Sequence, residues 1–292
     1  MNKILYFAFE IVSRILSALP KRAIYIFADF LYFVAYYLAK YRKKVVYSNL
    51  KRSFPEKSDR EIKAIAKNFY RHLGDLIVEN IAILNMSPKK VMQFMSVKNL
   101  EVMNDLHKKG KNTIALTGHY GNWEFLPTLS SYTPYTILSV YKPLKNKFFD
   151  KKVYQMRKRF SGIPVPMKEV YKEIVRQQKQ DNPYIMGLVA DQSPPKKNIN
   201  YWTTFLNQDT PFFTGAEKIA KKLNHAVVFI IVRKKKRGLY EIDFSPLTEN
   251  TENMPEGNII EQYARTLEKN IIEQPEYWLW SHRRWKHSRK KN

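Results

Sequence analysis

Residues 113–125 read TIALTGHYGNWEF. TIALT is β-branched or apolar throughout, the composition of a strand buried on both faces, and NWEFLPTL, from Asn122, can open a helix. His119 then falls in the connecting turn at the carboxyl end of a strand, where open α/β sheets hold their ligands. The alternation continues downstream. YTILSV, YIMGLVA, AVVFIIVR and LYEIDF are strand candidates, and 146–160, 167–180, 214–223 and 257–273 are helix candidates. Such a series predicts an α/β fold with a mostly parallel central sheet flanked by helices. Upstream, FPEKSDREIKAIAKNFYRHLGDLIVENIAIL reads as a long helix, because Ser58 and Glu61 match a capping box and Ile62, Ile65, Phe69, Leu73 and Leu76 recur at helical spacing.

The N-terminal region has a different character. Its two apolar runs are broken by Glu10, Arg14 and Pro20, and Asp29 lies inside the second. The stretch 23–39 is at the short limit for crossing hydrocarbon, and a carboxylate at mid-membrane is costly. A helix lying in the membrane interface, or a marginal anchor, fits better than a clean span or a secretory signal. YRKK at 41–44 puts positive charge beside it, where anionic headgroups or the cytoplasmic side favour it. With no repeat, low-complexity tract or Gly/Ser linker further on, the expected organisation is a membrane-associating segment at 1–45 and one domain at 46–292.

The 292 residues suffice for one large α/β domain with an ample core, and 14% aromatic and 44% apolar content exclude a disordered chain. Lys and Arg number 51 against 26 Asp and Glu, a formal charge of +25 that calls for an anionic partner. Nucleic acid, an anionic membrane or an acidic carrier or substrate would each supply one. The absence of cysteine excludes disulfides, thiolate metal sites and cysteine nucleophiles.

His119 and Glu124 are five residues apart, and in an unbroken helix that spacing separates two side chains by roughly 140°. If His119 precedes the helix and Glu124 sits in its first turns, Gly118 and Gly121 allow the chain to fold the imidazole back onto the carboxylate. A carboxylate on one ring nitrogen fixes the tautomer, and the other nitrogen can take a proton from a hydroxyl. By itself the pair also reads as a surface histidine and a helical glutamate.

Its surroundings extend the reading. In order along the chain, YRKKVVYSNLKRSFPEKSDREIKAIAKNFYRHLGDLIVE, GHYGNWE, YKPLKNKFFDKKVYQMRKRFSG, LVADQSPP and WLWSHRRWK resemble the blocks of the bacterial lipid A late acyltransferases, of the lysophospholipid-acyltransferase-like superfamily with its His-x4-Asp/Glu signature. The resemblance covers almost the whole chain. It implies acyl transfer from an acyl carrier protein thioester to a hydroxyl of a lipid A precursor, at the cytoplasmic face of the inner membrane. His119 would be the general base and Glu124 its orienting carboxylate. No G-x-S-x-G elbow and no cysteine is present to form an acyl-enzyme, so direct attack with no cofactor or metal is expected.

Arg157 and Arg159 are candidates for stabilising the oxyanion or clamping an acceptor phosphate, since a guanidinium is permanently charged and forks onto oxygens. Lys142 stands where the family usually has an arginine, which weakens the expectation of a bidentate contact there. Asp191 and Gln192 follow a strand and would line an α/β site. His282, Arg283 and Arg284 flank Trp285 and are further substrate-binding candidates. Each basic residue also reads as part of a solvated face, and Asp191 as turn chemistry before Pro194 and Pro195.

MPEGN at 254–258 is similar to the Pro-Glu-Gly motif of glycerophosphate acyltransferases, but it lies far downstream of His119 and reads as a helix start. The six histidines are scattered, with no metal-ligand spacing. The rival class is a basic nucleic-acid-binding protein, for which no reading helix or RNP-like strand appears. Within the enzyme class, a lysophospholipid or another lipid is the alternative acceptor, and acyl-CoA the alternative donor.

Overall fold

The computed structural model describes residues 3–180 and 182–289. The strands are β1 (Met95–Lys98), β2 (Thr113–Thr117), β3 (Thr136–Tyr141), β4 (Ile163–Pro166), β5 (Tyr184–Val189), β6 (Tyr201–Phe205), β7 (Gln208–Phe212), β8 (Ala226–Lys236) and β9 (Leu239–Thr248). Seven form one sheet in the order β1-β9-β8-β2-β5-β3-β4, and β6 and β7 form a separate antiparallel hairpin. Neighbours in the large sheet are parallel except β8 and β9. The expected α/β architecture is therefore present.

The helices are α1 (Lys3–Ala18), α2 (Lys21–Phe33), α3 (Lys43–Ser53), α4 (Asp59–Ile83), α5 (Pro88–Met92), α6 (Glu101–Lys108), α7 (Lys147–Arg159), α8 (Val170–Gln177), α9 (Gly215–Leu223) and α10 (Asn258–Glu273). Local chemistry sets several of their ends. The Ser58 hydroxyl accepts from the Glu61 backbone N–H while the Glu61 carboxylate accepts from that of Ser58, the reciprocal capping box that starts α4. Asn146 caps α7. MPEGN leads into α10, whose first turn is held by the buried Glu217 carboxylate on the N–H groups of Gly257 and Ile260. NWEFLPTL forms a 3-10 helix, Trp123–Ser131, rather than an α-helix, because Pro127 has no N–H for an α-helical bond.

The sheet is buried on both faces because its strands alternate between two cores. Ile114 and Leu116 of β2 and Val227, Phe229 and Ile231 of β8 face the layer of α8, α9 and α10. Ala115, Val228, Ile230 and Val232 face the opposite layer, which contains α1, α2, the 3-10 helix and α7. Leu16, Ile24, Tyr25 and Ala28 are buried in this second core, so α1 and α2 lie on the domain, against α4. Their other side exposes Phe7, Ile26 and Phe30, and the helical turn after α2 exposes Leu38, each more than 60% accessible. Among the described residues no single helix is long and apolar enough to cross a membrane, and the chain bends by 87° between 21–38 and α3.

Candidate active site

The chain leaves β2 toward one face of the sheet, through the 3-10 helix, and leaves adjacent β5 toward the other, through the β6–β7 hairpin and α9. Strand ends that diverge in this way open a crevice at their carboxyl edge. His119 lies two residues beyond β2, and Asp191 and Gln192 lie just beyond β5. Topology thus brings together two segments separated by 72 positions.

The carboxylate against the imidazole is that of Asp191. Its Oδ1 is 2.5 Å from His119 Nδ1, and its Oδ2 accepts the His119 backbone N–H at 2.8 Å and the Trp278 indole N–H at 2.8 Å. Burial pushes the Asp191 carboxyl up, but the His119 charge and these hydrogen bonds outweigh it and hold the group at about 2. The imidazole experiences the complement: burial disfavours its proton, the Asp191 charge and hydrogen bond and the more distant Glu124 charge favour it, and the net shift is upward. With Nδ1–H donating to Asp191, the Nε2 lone pair accepts from the Gln192 side-chain amide, 3.0 Å away. Trp123 stands edge-on to the ring at 4.7 Å, as a wall.

Glu124, expected on the imidazole, instead bonds Arg157, with 3.2 Å between Oε2 and Nη2. Asn122 accounts for this geometry, since its side-chain oxygen accepts the Glu124 backbone N–H and starts the 3-10 helix with the carboxylate turned toward α7. Arg157 also lies over the Tyr141 ring, and its Nε is buried with no partner among the described residues. Lys142 is exposed at the carboxyl end of β3, on the same edge of the sheet. Arg159, by contrast, spends both terminal nitrogens on the Leu84 and Met86 carbonyls, each at 2.6 Å, and serves to clamp the segment after α4. His282 accepts from the Ser193 backbone N–H at 3.4 Å, and burial brings its pKa down to about 4, so it stands neutral beside the Asp191 loop. Arg284 is fully buried, donating from Nη2 to the Pro211 carbonyl and lying over the Phe212 ring, while its Nε and Nη1 have no partner among the described residues. Arg283 points away to the exposed side near α3. Part of the basic tail, 290–292, lies outside the described residues.

The turn is held from beneath by groups that the sequence does not advertise. Gly121 takes φ +59°, and a Cβ there would lie 1.8 Å from the Val232 carbonyl oxygen, so only glycine fits. Its N–H donates to the Tyr277 carbonyl, and its carbonyl accepts from His72 Nε2. Asn122 donates to buried Glu79 at 2.8 Å, and the Tyr25 and Tyr240 hydroxyls donate to the same carboxylate at 2.6 and 2.8 Å. Asp75 binds Lys234 and Arg237, and Arg237 reaches Asp29 of α2, which gives that carboxylate a partner. His72, Asp75 and Glu79 recur three and four apart on one face of α4. That spacing is a readable sign of a polar stripe among apolar neighbours, although it does not name the partners. Trp278 carries no such sign.

A buried carboxylate that fixes one nitrogen of a histidine, with the other nitrogen held only by an exchangeable side-chain amide, suits proton removal from a hydroxyl. A sequence profile described as bacterial lipid A biosynthesis acyltransferase matches residues 1–287. The chain is 23% identical over 248 residues to a protein of Haemophilus influenzae named lipid A biosynthesis acyltransferase, covering 84% of this chain and 78% of that one. It is 22% identical over 249 residues to the Escherichia coli lipid A biosynthesis palmitoleoyltransferase, covering 85% and 79%. A match across nearly the whole sequence, on a fold that agrees with it, places the chain in the bacterial lipid A biosynthesis acyltransferase family.

Proposed function

We propose that the protein transfers a fatty acyl group from an acyl carrier protein thioester directly to a hydroxyl of a lipid A precursor, with His119 as general base. The observation that carries this reading is the His119 imidazole, gripped at Nδ1 by buried Asp191 and bonded at Nε2 only by the Gln192 side-chain amide. The acceptor hydroxyl displaces the Gln192 amide and gives its proton to Nε2 as its oxygen attacks the thioester carbon. The tetrahedral intermediate then collapses, the carbon–sulfur bond breaks, and the imidazolium proton passes to the departing thiolate. Asp191 stabilises the imidazolium. Arg157, with an unpaired buried N–H, is the donor proposed for the oxyanion, and Glu124 holds its guanidinium in place while adding negative charge near His119.

The +25 charge suits an acidic carrier protein and a phosphorylated acceptor. The exposed aromatic and aliphatic side chains of α1 and α2 suit an interfacial position on the inner membrane, with YRKK against anionic headgroups. The deciding experiment is a transfer assay in detergent with labelled acyl carrier protein thioester, offering a lipid A precursor and a lysophospholipid in parallel, with His119→Ala as control. Acylation of the precursor, abolished in the variant, is the expected result. Transfer to lysophospholipid alone would change the acceptor, preference for acyl-CoA would change the donor, and activity surviving in the variant would remove the general-base role.

A further inference from the structure

A cavity of about 500 Å³ opens between α3 and the C-terminal segment, and its charge is one-sided. Lys44 and Arg52 contribute from α3, and Arg283 and Lys286 from the segment opposite, with no carboxylate in the lining. None of these four cations is in an ion pair among the described residues. The protein's overall charge does not by itself produce such a lining, because another cavity, about 290 Å³ beside α9, sets Glu217 and Glu256 against Lys218 and Lys221.

The cations stand on a fixed frame. Arg52 is steadied by the Ser48 carbonyl at 3.3 Å and the Asn49 side-chain oxygen at 3.4 Å, which leaves one terminal nitrogen, Nη1, uncommitted. Asn49 donates at 2.9 Å to the carbonyls of both Trp280 and His282, and Arg42 donates to that of Ser281, so α3 and the C-terminal segment are tied together. Trp285 forms part of the wall, and its ring is 5.9 Å from that of Trp278, the residue that donates to Asp191. The cavity is thus one aromatic pair away from the catalytic carboxylate. Its α3 wall also closely follows the 21–38 segment, one side of which exposes Ile26, Phe30 and Leu38.

We infer that this cavity is a phosphate-ester subsite of the acyl transfer reaction, an inference that rests on the reading above. Exposed guanidinium and ammonium groups that line one recess, with no competing acid in the lining, can bind phosphate oxygens through charge-assisted hydrogen bonds. The phosphate comes either from the headgroup of the acceptor glycolipid or from the phosphodiester of the donor's pantetheine arm.

Calorimetric titration of the full-length protein in detergent with inorganic pyrophosphate tests the site without requiring turnover. The double variant Arg283→Gln/Lys286→Gln should bind pyrophosphate roughly tenfold more weakly, the loss expected from two partly exposed charged contacts. The charge-matched pair Lys218→Gln/Lys221→Gln should bind as wild type does. Equal binding by the two double variants would overturn the site, and absence of acyl transfer with pyrophosphate binding intact would instead overturn the reaction assignment. KM then identifies the source. A rise confined to the phosphorylated acceptor, and absent for its dephosphorylated form, assigns the acceptor headgroup. A rise confined to the carrier thioester, and absent for acyl-pantetheine, assigns the donor. Weakened binding with neither KM moved would remove the cavity from the reaction.

Discussion

Asp191→Asn tests most directly how His119 is held. Asparagine keeps the size of the side chain and can still accept the His119 and Trp278 N–H groups, but it presents no charge to the imidazole. If its amide nitrogen faces Nδ1, the ring must carry its proton on Nε2, and the lone pair needed by the acceptor is lost. Loss of tautomer control at a histidine base costs on the order of 10³–10⁴ in kcat. The pair also contributes to the fold: the depressed pKa of Asp191 means that its ionised form is favoured in the native state over the unfolded chain. Because the folded pKa is depressed, that contribution is complete above the ordinary carboxyl value and disappears as pH falls toward 2; the variant should lose this part of its acid sensitivity. For His119 the sign is opposite. Its raised pKa means that the neutral base is recovered only as pH rises, so the acidic limb of kcat/KM lies above the ordinary histidine position. Asp191→Asn should move that limb to lower pH, and Glu124→Gln should move it less, since Glu124 acts on the ring only through space. The assay is a pH profile of acyl transfer for the two variants and wild type. An unmoved limb in Asp191→Asn, or a larger shift in Glu124→Gln, would refute the assignment of Asp191 as the carboxylate that governs the base.

Three further outcomes are expected. Trp278→Phe keeps the ring but removes the indole N–H from Asp191; acyl transfer should fall by roughly one to two orders of magnitude, with melting temperature changed little, and full activity would show that the third contact to the carboxylate is dispensable. Glu79→Leu leaves the Tyr25, Tyr240 and Asn122 donors buried without an acceptor and should cost about 3 kcal/mol or more in denaturant unfolding, whereas a loss below about 1 kcal/mol would mean that water replaces the carboxylate. Phe30→Glu, at a side chain 63% exposed on α2, should lower co-sedimentation with anionic vesicles while leaving transfer to a detergent-dispersed acceptor intact; unchanged sedimentation would argue against α2 as the membrane contact.

The elements legible in the sequence were those with strong local periodicity or a cap. The capping box at Ser58, the apolar runs of β2, β5 and β8 and the helices near 146–160 and 257–273 all appear within a few residues of expectation. The pieces that escaped lacked such signals for identifiable reasons. β4 contains Pro164 and Pro166 and survives as an edge strand paired only with β3, where a missing N–H is tolerated. The β6–β7 hairpin turns through Leu206 and Asn207 at φ 50° and 60°, and a buried leucine in a left-handed turn carries none of the usual glycine signature. The candidate site divides similarly. His119 was readable from its position after a strand, but the identity of its carboxylate was not, because the choice between Glu124 and Asp191 depends on how strands distant in sequence pair. Arg159 and Arg157, two residues apart on one basic stretch, diverge for the same reason: only the packing of α7 against the end of α4 decides which guanidinium is consumed by backbone carbonyls.

The turn proposed to carry the general base poses a mechanical problem, since loops are ordinarily mobile while such a base must be held within about 0.5 Å of its working position. Within the segment Gly118–Asn122, Tyr120 anchors the middle of the turn in the core, with its hydroxyl on the Asn270 and Gln274 carbonyls, but it does not orient the residues on either side. Buried carboxylates from two other elements supply the hold. Asp191, following β5, takes both the backbone N–H and the ring of His119, and Glu79 of α4 takes Asn122 three residues on. Between them, Gly121 is fixed through its N–H to Tyr277 and through its carbonyl to His72. Buried charges are poor contributors to net stability compared with apolar packing, so their concentration beneath one short turn is better explained by the geometry they impose. Each carboxylate governs one end. Loss of Glu79 frees the Asn122 end, and with it the start of the helix that carries Glu124, while Asp191 still grips the imidazole. Loss of Asp191 frees the imidazole while Asn122 stays in place, which is why the two substitutions should separate into a stability defect and a chemical one.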